Sequence, residues 1–284
     1  MKADKKPAAI TVLRWIKKVL PGNFLKTTFY LNFIAKPRKF FRLAATQFYR
    51  MDHIYEVLWE AKRNYEGKFS IMEFGTNDGY SFTKMLYATK YTGMSDRVTV
   101  HAFDSFEGMP APADRSDINI ITNKDEWVEG QFYGHYENLV DYCDNNYTNH
   151  KIHKGYFAKT LTDEFLSSLV INVPILIWFD CDYYSSARLV FEKILPYLPS
   201  GCVIYFDEYE WNYGSRFTGE AKLVYEINKG LFGEEIELVL DTNLSWNTQR
   251  IYRLVCFRNG PYYELLNPPV PDVGRLRTDD SPLP

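Results

Sequence analysis

The sequence predicts an α/β chain: a mostly parallel, seven-stranded sheet with helices on both faces, and a helical extension ahead of it. Three observations predict it. After Gly67 short apolar runs alternate with stretches of helical periodicity, the pattern of successive βαβ units. Two of the runs, 175–179 and 203–206, are apolar without alternation, as strands buried on both faces are. And 284 residues with 46% apolar side chains suffice to cover such a sheet, which excludes a disordered or collagen-like chain.

Taken in order, residues 1–10 read as a loose tail, and Ile10, Leu13, Ile16 and Leu20 recur at helical spacing with Arg14, Lys17 and Lys18 between them. That amphipathic basic helix is stopped by Pro21-Gly22, and further helices are expected over 39–50 and 52–64 before Glu66-Gly67 turns the chain. Strands are expected near 69–74, 98–104, 151–153, 174–180, 202–207, 236–240 and 250–257, with helices near 80–90, 131–146, 161–169, 185–197 and 217–231. From Pro261 the chain is proline-rich and polar. The division is therefore a basic helical arm over 1–66, a main domain over 67–260 and a tail over 261–284.

Charge separates arm from body. Residues 1–50 carry twelve Lys and Arg against Asp4 alone, a net +11, while the rest carries 21 basic and 35 acidic residues, a net −14. The arm has two readings: it lies in a membrane interface against anionic headgroups, or its apolar face packs as a lid on the acidic body or on a second subunit of a homo-oligomer. Packing is favoured, because the helices that follow are also apolar enough to need burial. The acidic body argues against a nucleic-acid partner. With neither an apolar run of spanning length nor a signal-peptide core, the expected home is the cytoplasm, free or peripheral at the inner face of the membrane. Cys143, Cys181, Cys202 and Cys256 show no CxxC spacing, so no zinc knuckle or disulfide framework is indicated.

Three constellations carry chemistry. In the run from Ser70 to Ser81 an apolar strand ends in the turn Gly75-Thr76-Asn77-Asp78-Gly79 and opens into a helix, the place where backbone must approach a ligand closely. In the second, Asp104-Ser105-Phe106-Glu107-Gly108-Met109-Pro110, an acid closes the second strand, where a ribose hydroxyl would find an acceptor. In the third, Asp180-Cys181-Asp182 and Asp207-Glu208 end two buried strands, and strand ends on one edge of an open sheet are where ligands bind. Four carboxylates meeting there would repel one another unless they shared a cation, and an all-oxygen donor set favours Mg²⁺ or a similar hard divalent ion. Each acid alone could instead cap a helix or face solvent.

Together these motifs, with Lys154-Gly155-Tyr156-Phe157-Ala158-Lys159-Thr160-Leu161 and Tyr183-Tyr184-Ser185-Ser186, resemble the macrocin O-methyltransferase family over about residues 68–257. The resemblance implies a Rossmann-like class I methyltransferase fold, S-adenosylmethionine as cofactor, and transfer of its methyl group to a sugar hydroxyl on a small molecule or glycan. It places the cofactor on Glu73, Gly75, Thr76, Asn77, Gly79, Tyr80, Ser81, Asp104, Ser105, Phe106, Gly155, Tyr156 and Asp180, the divalent metal on Asp180, Asp207 and Glu208, and the general base on Asp182. Two positions depart from the pattern: Cys181 stands where glycine is common, and Glu208 replaces a frequent aspartate. If the chain stays extended past Asp180, Asp182 leans the same way further out, toward the acceptor.

Two rivals remain. A nicotinamide-dependent oxidoreductase also uses a glycine turn and an acid after the second strand, but prefers GxGxxG, whose middle glycine is missing here. A non-catalytic binding module on the same fold would have no use for the costly carboxylate cluster.

Overall fold

The computed structural model describes residues 52–245 and 250–256; the helices expected over 10–20 and 39–50, and the tail from 261, lie outside the described residues. In chain order the elements are α1 (Asp52–Asn64), β1 (Lys68–Phe74), α2 (Tyr80–Thr92), β2 (Val98–Asp104), α3 (Tyr136–Asn146), β3 (His150–Lys154), α4 (Phe157–Thr160), α5 (Asp163–Ser168), β4 (Asn172–Phe179), α6 (Tyr184–Ile194), β5 (Val203–Phe206), α7 (Gly219–Asn228), β6 (Ile236–Leu240) and β7 (Arg250–Cys256). The seven strands form one sheet in the order β3-β2-β1-β4-β5-β7-β6. Only β7 runs against its neighbours.

Alternation along the strands sends side chains to two cores. On one face Ile54, Leu58, Phe82, Met85 and Leu139 from α1, α2 and α3 pack on Ile71, Val100, Leu176 and Trp178. On the other Phe165, Val190, Phe191, Leu223 and Ile227 from α5, α6 and α7 pack on Phe74, Phe103, Ile177, Phe179 and Phe206. Pro174, which cannot donate to a ladder, coincides with a register shift in the β1–β4 pairing after Ser70.

Helix α1, grouped with the arm by composition, belongs to this core. His53 stacks on Trp178 and Tyr205 at 5.3 and 5.2 Å between ring centres, and Glu60 takes a two-pronged ion pair from Arg253 of β7. The folded unit thus begins ahead of Gly67. Local chemistry also reshapes three expected helices. The one over 161–169 shortens to Asp163–Ser168, because the Thr162 side chain caps its start by accepting the Phe165 N–H at 3.2 Å. The one over 131–146 starts only at Tyr136, and Pro196 tightens the end of the one over 185–197 into a 3-10 turn at Leu195–Tyr197. Among the described residues no helix is long and apolar enough to cross a membrane.

Strand order reverses between β1 and β4, since the chain builds outward to β3 on one side and then restarts on the other. Ligand crevices of open α/β sheets form outside the carboxyl ends of strands at such a switch point.

Candidate active site

A cavity of about 690 Å³ lies at that place. Its floor is the glycine turn. Gly75 has φ +92°, and a Cβ there would lie 1.8 Å from the Asp180 carbonyl oxygen, so only glycine lets β1 and β4 run side by side into the site. Gly79 starts α2 at φ +76°. Thr76, Asn77, Asp78, Tyr80 and Ser81 complete this wall.

Asp104 ends β2 beside the turn and holds it. Its Oδ2 accepts the backbone N–H groups of Thr76 and Asn77 at 2.8 and 2.7 Å, and its Oδ1 accepts that of Phe106 at 2.6 Å. The expected ribose acceptor is therefore engaged mainly by the protein's own backbone, though it still lines the cavity with Ser105. Glu73 lies beneath the turn, fully buried, accepting the Ser81 hydroxyl; burial pushes its carboxyl up to about 8.

Three residues expected at the cofactor do not reach the cavity. Glu73 is sealed under the turn, Phe106 is buried against Tyr136 at 5.1 Å, and Gly155 supports Asp104 by donating its N–H to the Asp104 carbonyl at 2.8 Å. Their motif neighbours do line it: Gly75, Gly79, Asp104 and Tyr156.

The third motif converges as expected: Asp180, Asp182, Asp207 and Glu208 all line the cavity. Asp180 and Asp207 sit level, each prolonging its strand by one bond, Asp180 N–H to the Phe74 carbonyl at 2.9 Å and Asp207 N–H to that of Phe179 at 3.2 Å. Burial first, and Asp207 next, hold the Asp180 carboxyl well above the usual carboxylate range. Burial, then Glu208 and Asp207, raise Asp182 to about 7, and burial, then Asp207, raises Glu208 to about 7.

The chain does not stay extended past Asp180. Asp182 has φ +61°, and Tyr183 N–H donates to the Cys181 carbonyl at 2.6 Å, closing a three-residue γ-turn of the strained hand around Asp182. A non-glycine residue held there costs on the order of 1–3 kcal/mol, and such strain gathers at functional sites. The turn, and not alternation along a strand, aims Asp182.

Asp78, Met109, Pro110, Phe157 and Ser186, motif residues given no role from sequence, also line the cavity, as do Trp127 and Phe132, which lie outside the motifs. Glu220 of α7 lies behind it, fully buried, accepting the Glu208 backbone N–H at 3.0 Å, and burial holds its carboxyl well above the ordinary range. An acid in the first turn of a helix reads from sequence as a dipole partner. Six carboxylates and no Lys, Arg or His line the cavity among the described residues.

The oxygen-rich donor set suits a hard divalent cation, but no three acids, histidines or cysteines among the described residues are gathered closely enough to hold one ion. Asp207 accepts the Tyr205 hydroxyl.

Residues 72–209, which run from β1 past both acid pairs, match the family model described as a methyltransferase domain. The chain's strand order is that of the Rossmann-like class I methyltransferase fold. Among solved structures it is similar to the calicheamicin methyltransferase CalS11, with TM-score 0.54 and 18% identity, covering 88% of this chain and 94% of that one. It is also similar to the O-methyltransferase NovP, with TM-score 0.50 and 17% identity over 71% of this chain and 78% of that one. At these identities the likeness concerns the fold. No curated protein matches the sequence.

Proposed function

We propose that the protein is an S-adenosylmethionine-dependent O-methyltransferase acting on a hydroxyl of a sugar or glycosylated small molecule, with Asp182 as general base. The observation that carries this reading is the meeting of the glycine turn of a methyltransferase domain with Asp180, Asp182, Asp207 and Glu208 in one cavity. A cavity walled by carboxylates suits a cationic sulfonium donor and repels a dinucleotide's pyrophosphate, which counts against the oxidoreductase reading. The sugar acceptor rests on the resemblance to the macrocin O-methyltransferase family. The name of one structural neighbour, an O-methyltransferase, agrees with a hydroxyl acceptor.

In this mechanism Asp104 keeps the glycine turn closed, so that the cofactor meets a preformed wall. The acceptor hydroxyl lies between the methyl group and Asp182, which takes its proton as transfer proceeds. A carboxylate titrating near 7 is ionised often enough at neutral pH and still basic enough to assist. Holding the two reactants aligned removes several kcal/mol of barrier, on the order of 7–11 at best. Asp180, Asp207 and Glu208 would hold a divalent cation after side-chain rearrangement. When bound, such an ion lowers the pKa of an acceptor hydroxyl.

The test is methyl transfer from labelled S-adenosylmethionine to a panel of glycosides, with Mg²⁺ or excess chelator. Transfer in Mg²⁺ alone is expected. Full activity in chelator would leave Asp182 as base without a metal, and binding of NAD but not of S-adenosylhomocysteine would overturn the class. Asp182→Asn should keep S-adenosylhomocysteine affinity while lowering turnover by about 10²–10⁴-fold; a fully active variant would remove Asp182 from the chemistry.

A further inference from the structure

Beyond the Asp104–Pro110 motif, the loop between β2 and α3 brings two aromatic side chains to the cavity, Phe132 and the larger Trp127. The Trp127 ring is held from two sides. Tyr183 meets it edge-on with ring centres 5.6 Å apart, and Trp211 lies against it at 5.0 Å. The loop beneath is pinned by one carboxylate, because Asp125 Oδ1 accepts both the Tyr183 hydroxyl at 2.6 Å and the Trp127 backbone N–H at 3.2 Å. A second anchor lies upstream, where the buried Asn212 accepts the Ile120 N–H at 3.2 Å and donates to the Ile118 carbonyl at 3.3 Å.

These contacts tie the position of Trp127 to Asp182. Tyr183 directly follows Asp182 and closes its γ-turn, so the residue that aims the carboxylate is also the one that buttresses the indole. The glycine turn and Asp104 mark the cofactor end of the cavity, and Trp127 is anchored to the other end, where the acceptor must lie. An indole face covers the C–H face of a pyranose while neighbouring carboxylates accept its hydroxyls at the rim, a division of labour common in sites for rings that are apolar on one face and polar at the edge. Asp182 and Glu208 supply such acceptors.

We propose that Trp127 is the acceptor platform, stacking on a pyranose ring so that one hydroxyl is presented to Asp182, with Asp125 as the positioning residue that locks the loop. The proposal rests on the sugar-acceptor reading and names the residue that would select for it. Neither Trp127 nor Asp125 is needed for the cofactor, so their removal separates acceptor binding from cofactor binding.

The experiment uses the full chain with S-adenosylhomocysteine and Mg²⁺, and methyl α-L-rhamnopyranoside, methyl β-D-glucopyranoside and methyl β-D-galactopyranoside as probes. Saturation-transfer NMR reads which sugar protons touch the protein, and turnover with labelled S-adenosylmethionine reads KM and kcat for the best probe. In the unaltered protein the ring C–H protons should be saturated. In Trp127→Ala that signal should fall and KM rise about tenfold, the factor that 1.4 kcal/mol of lost contact gives, with kcat and S-adenosylhomocysteine affinity nearly unchanged. Trp127→Phe should restore most of the signal, and Asp125→Asn should raise KM in the same direction. Methyl transfer with unchanged KM in Trp127→Ala would overturn the platform and leave sugar O-methylation standing. Failure of the unaltered protein to bind or methylate any probe, while still binding S-adenosylhomocysteine, would overturn both.

Discussion

Replacing Gly75 with Ala tests how the sheet edge is assembled. Two costs arise. At φ +92° an L side chain pays the left-handed penalty, about 1–2 kcal/mol. The new Cβ would also fall 1.8 Å from the Asp180 carbonyl oxygen and 2.6 Å from its carbonyl carbon, both backbone atoms. Neither can swing away, so β1 and β4 must part, an overpacking cost of about 1–3 kcal/mol. Gly201 is the control, since it has φ +88° and nothing within 4 Å of its Cβ position, so alanine there bears only the left-handed penalty. At about 2–4 °C per kcal/mol for a domain of this size, Gly201→Ala should melt about 2–8 °C below the unaltered protein. Gly75→Ala should melt lower still, by a further 2–12 °C or so on the same scale. The same parting moves Asp180 and the cavity wall by about an ångström, which costs on the order of 10²-fold in a positioned reaction. Differential scanning calorimetry and titration with S-adenosylhomocysteine check both arms. If the two variants melt together, or Gly75→Ala binds S-adenosylhomocysteine as the unaltered protein does, the close approach of Gly75 to Asp180 is not what builds the site.

Asp104→Ala removes the acceptor of three backbone N–H groups and should cost about 2–4 kcal/mol of stability together with S-adenosylhomocysteine affinity; urea melts and calorimetry would show no change if the turn holds itself. Glu220→Ala leaves the Glu208 N–H without its acceptor, for about 1–3 kcal/mol, whereas Glu220→Gln keeps an acceptor oxygen and should lose less; equal urea midpoints for the two variants would refute the role. His101 and His153, whose ring nitrogens lie 3.1 Å apart, titrate at about 3 and about 4 because burial disfavours their charged forms. Folded values below the unfolded one of about 6.5 mean that the unfolded chain takes up protons first, so stability is complete above that pH and falls as pH drops toward the folded values. For His101 the loss at pH 5 is about 2 kcal/mol. His101→Phe should flatten the fall in urea midpoint between pH 7 and 5, and an unaltered slope would contradict it.

The local pattern of the chain was enough for the architecture. Apolar runs and helical periodicity depend on neighbours a few residues apart, and they marked all seven strands to within two residues at most ends. The glycine turn and the acids at the ends of β4 and β5 were legible for the same reason, since a strand that ends in Asp180 or Asp207 brings that residue to the sheet edge wherever the strand lies. Helix α1 was read at its full extent, but net charge says nothing of which face is buried, and only packing shows Ile54 and Leu58 in the core. What the tertiary structure decided lies in contacts between distant residues. Asp104 proved to be the clasp of the glycine turn only once β2 lay beside β1, with partners 27 and 28 residues away. The aim of Asp182 depends on a γ-turn braced by Tyr183, whose hydroxyl partner Asp125 is 58 residues earlier. Trp127 and Glu220 carried no periodic or motif signal at all, since a loop aromatic and a helical acid acquire meaning only from what packs against them. Strand identity is set by local backbone and burial preferences, whereas the orientation of a buried carboxylate is set by whichever donors, charges and rings the folded chain brings within a few ångströms of it.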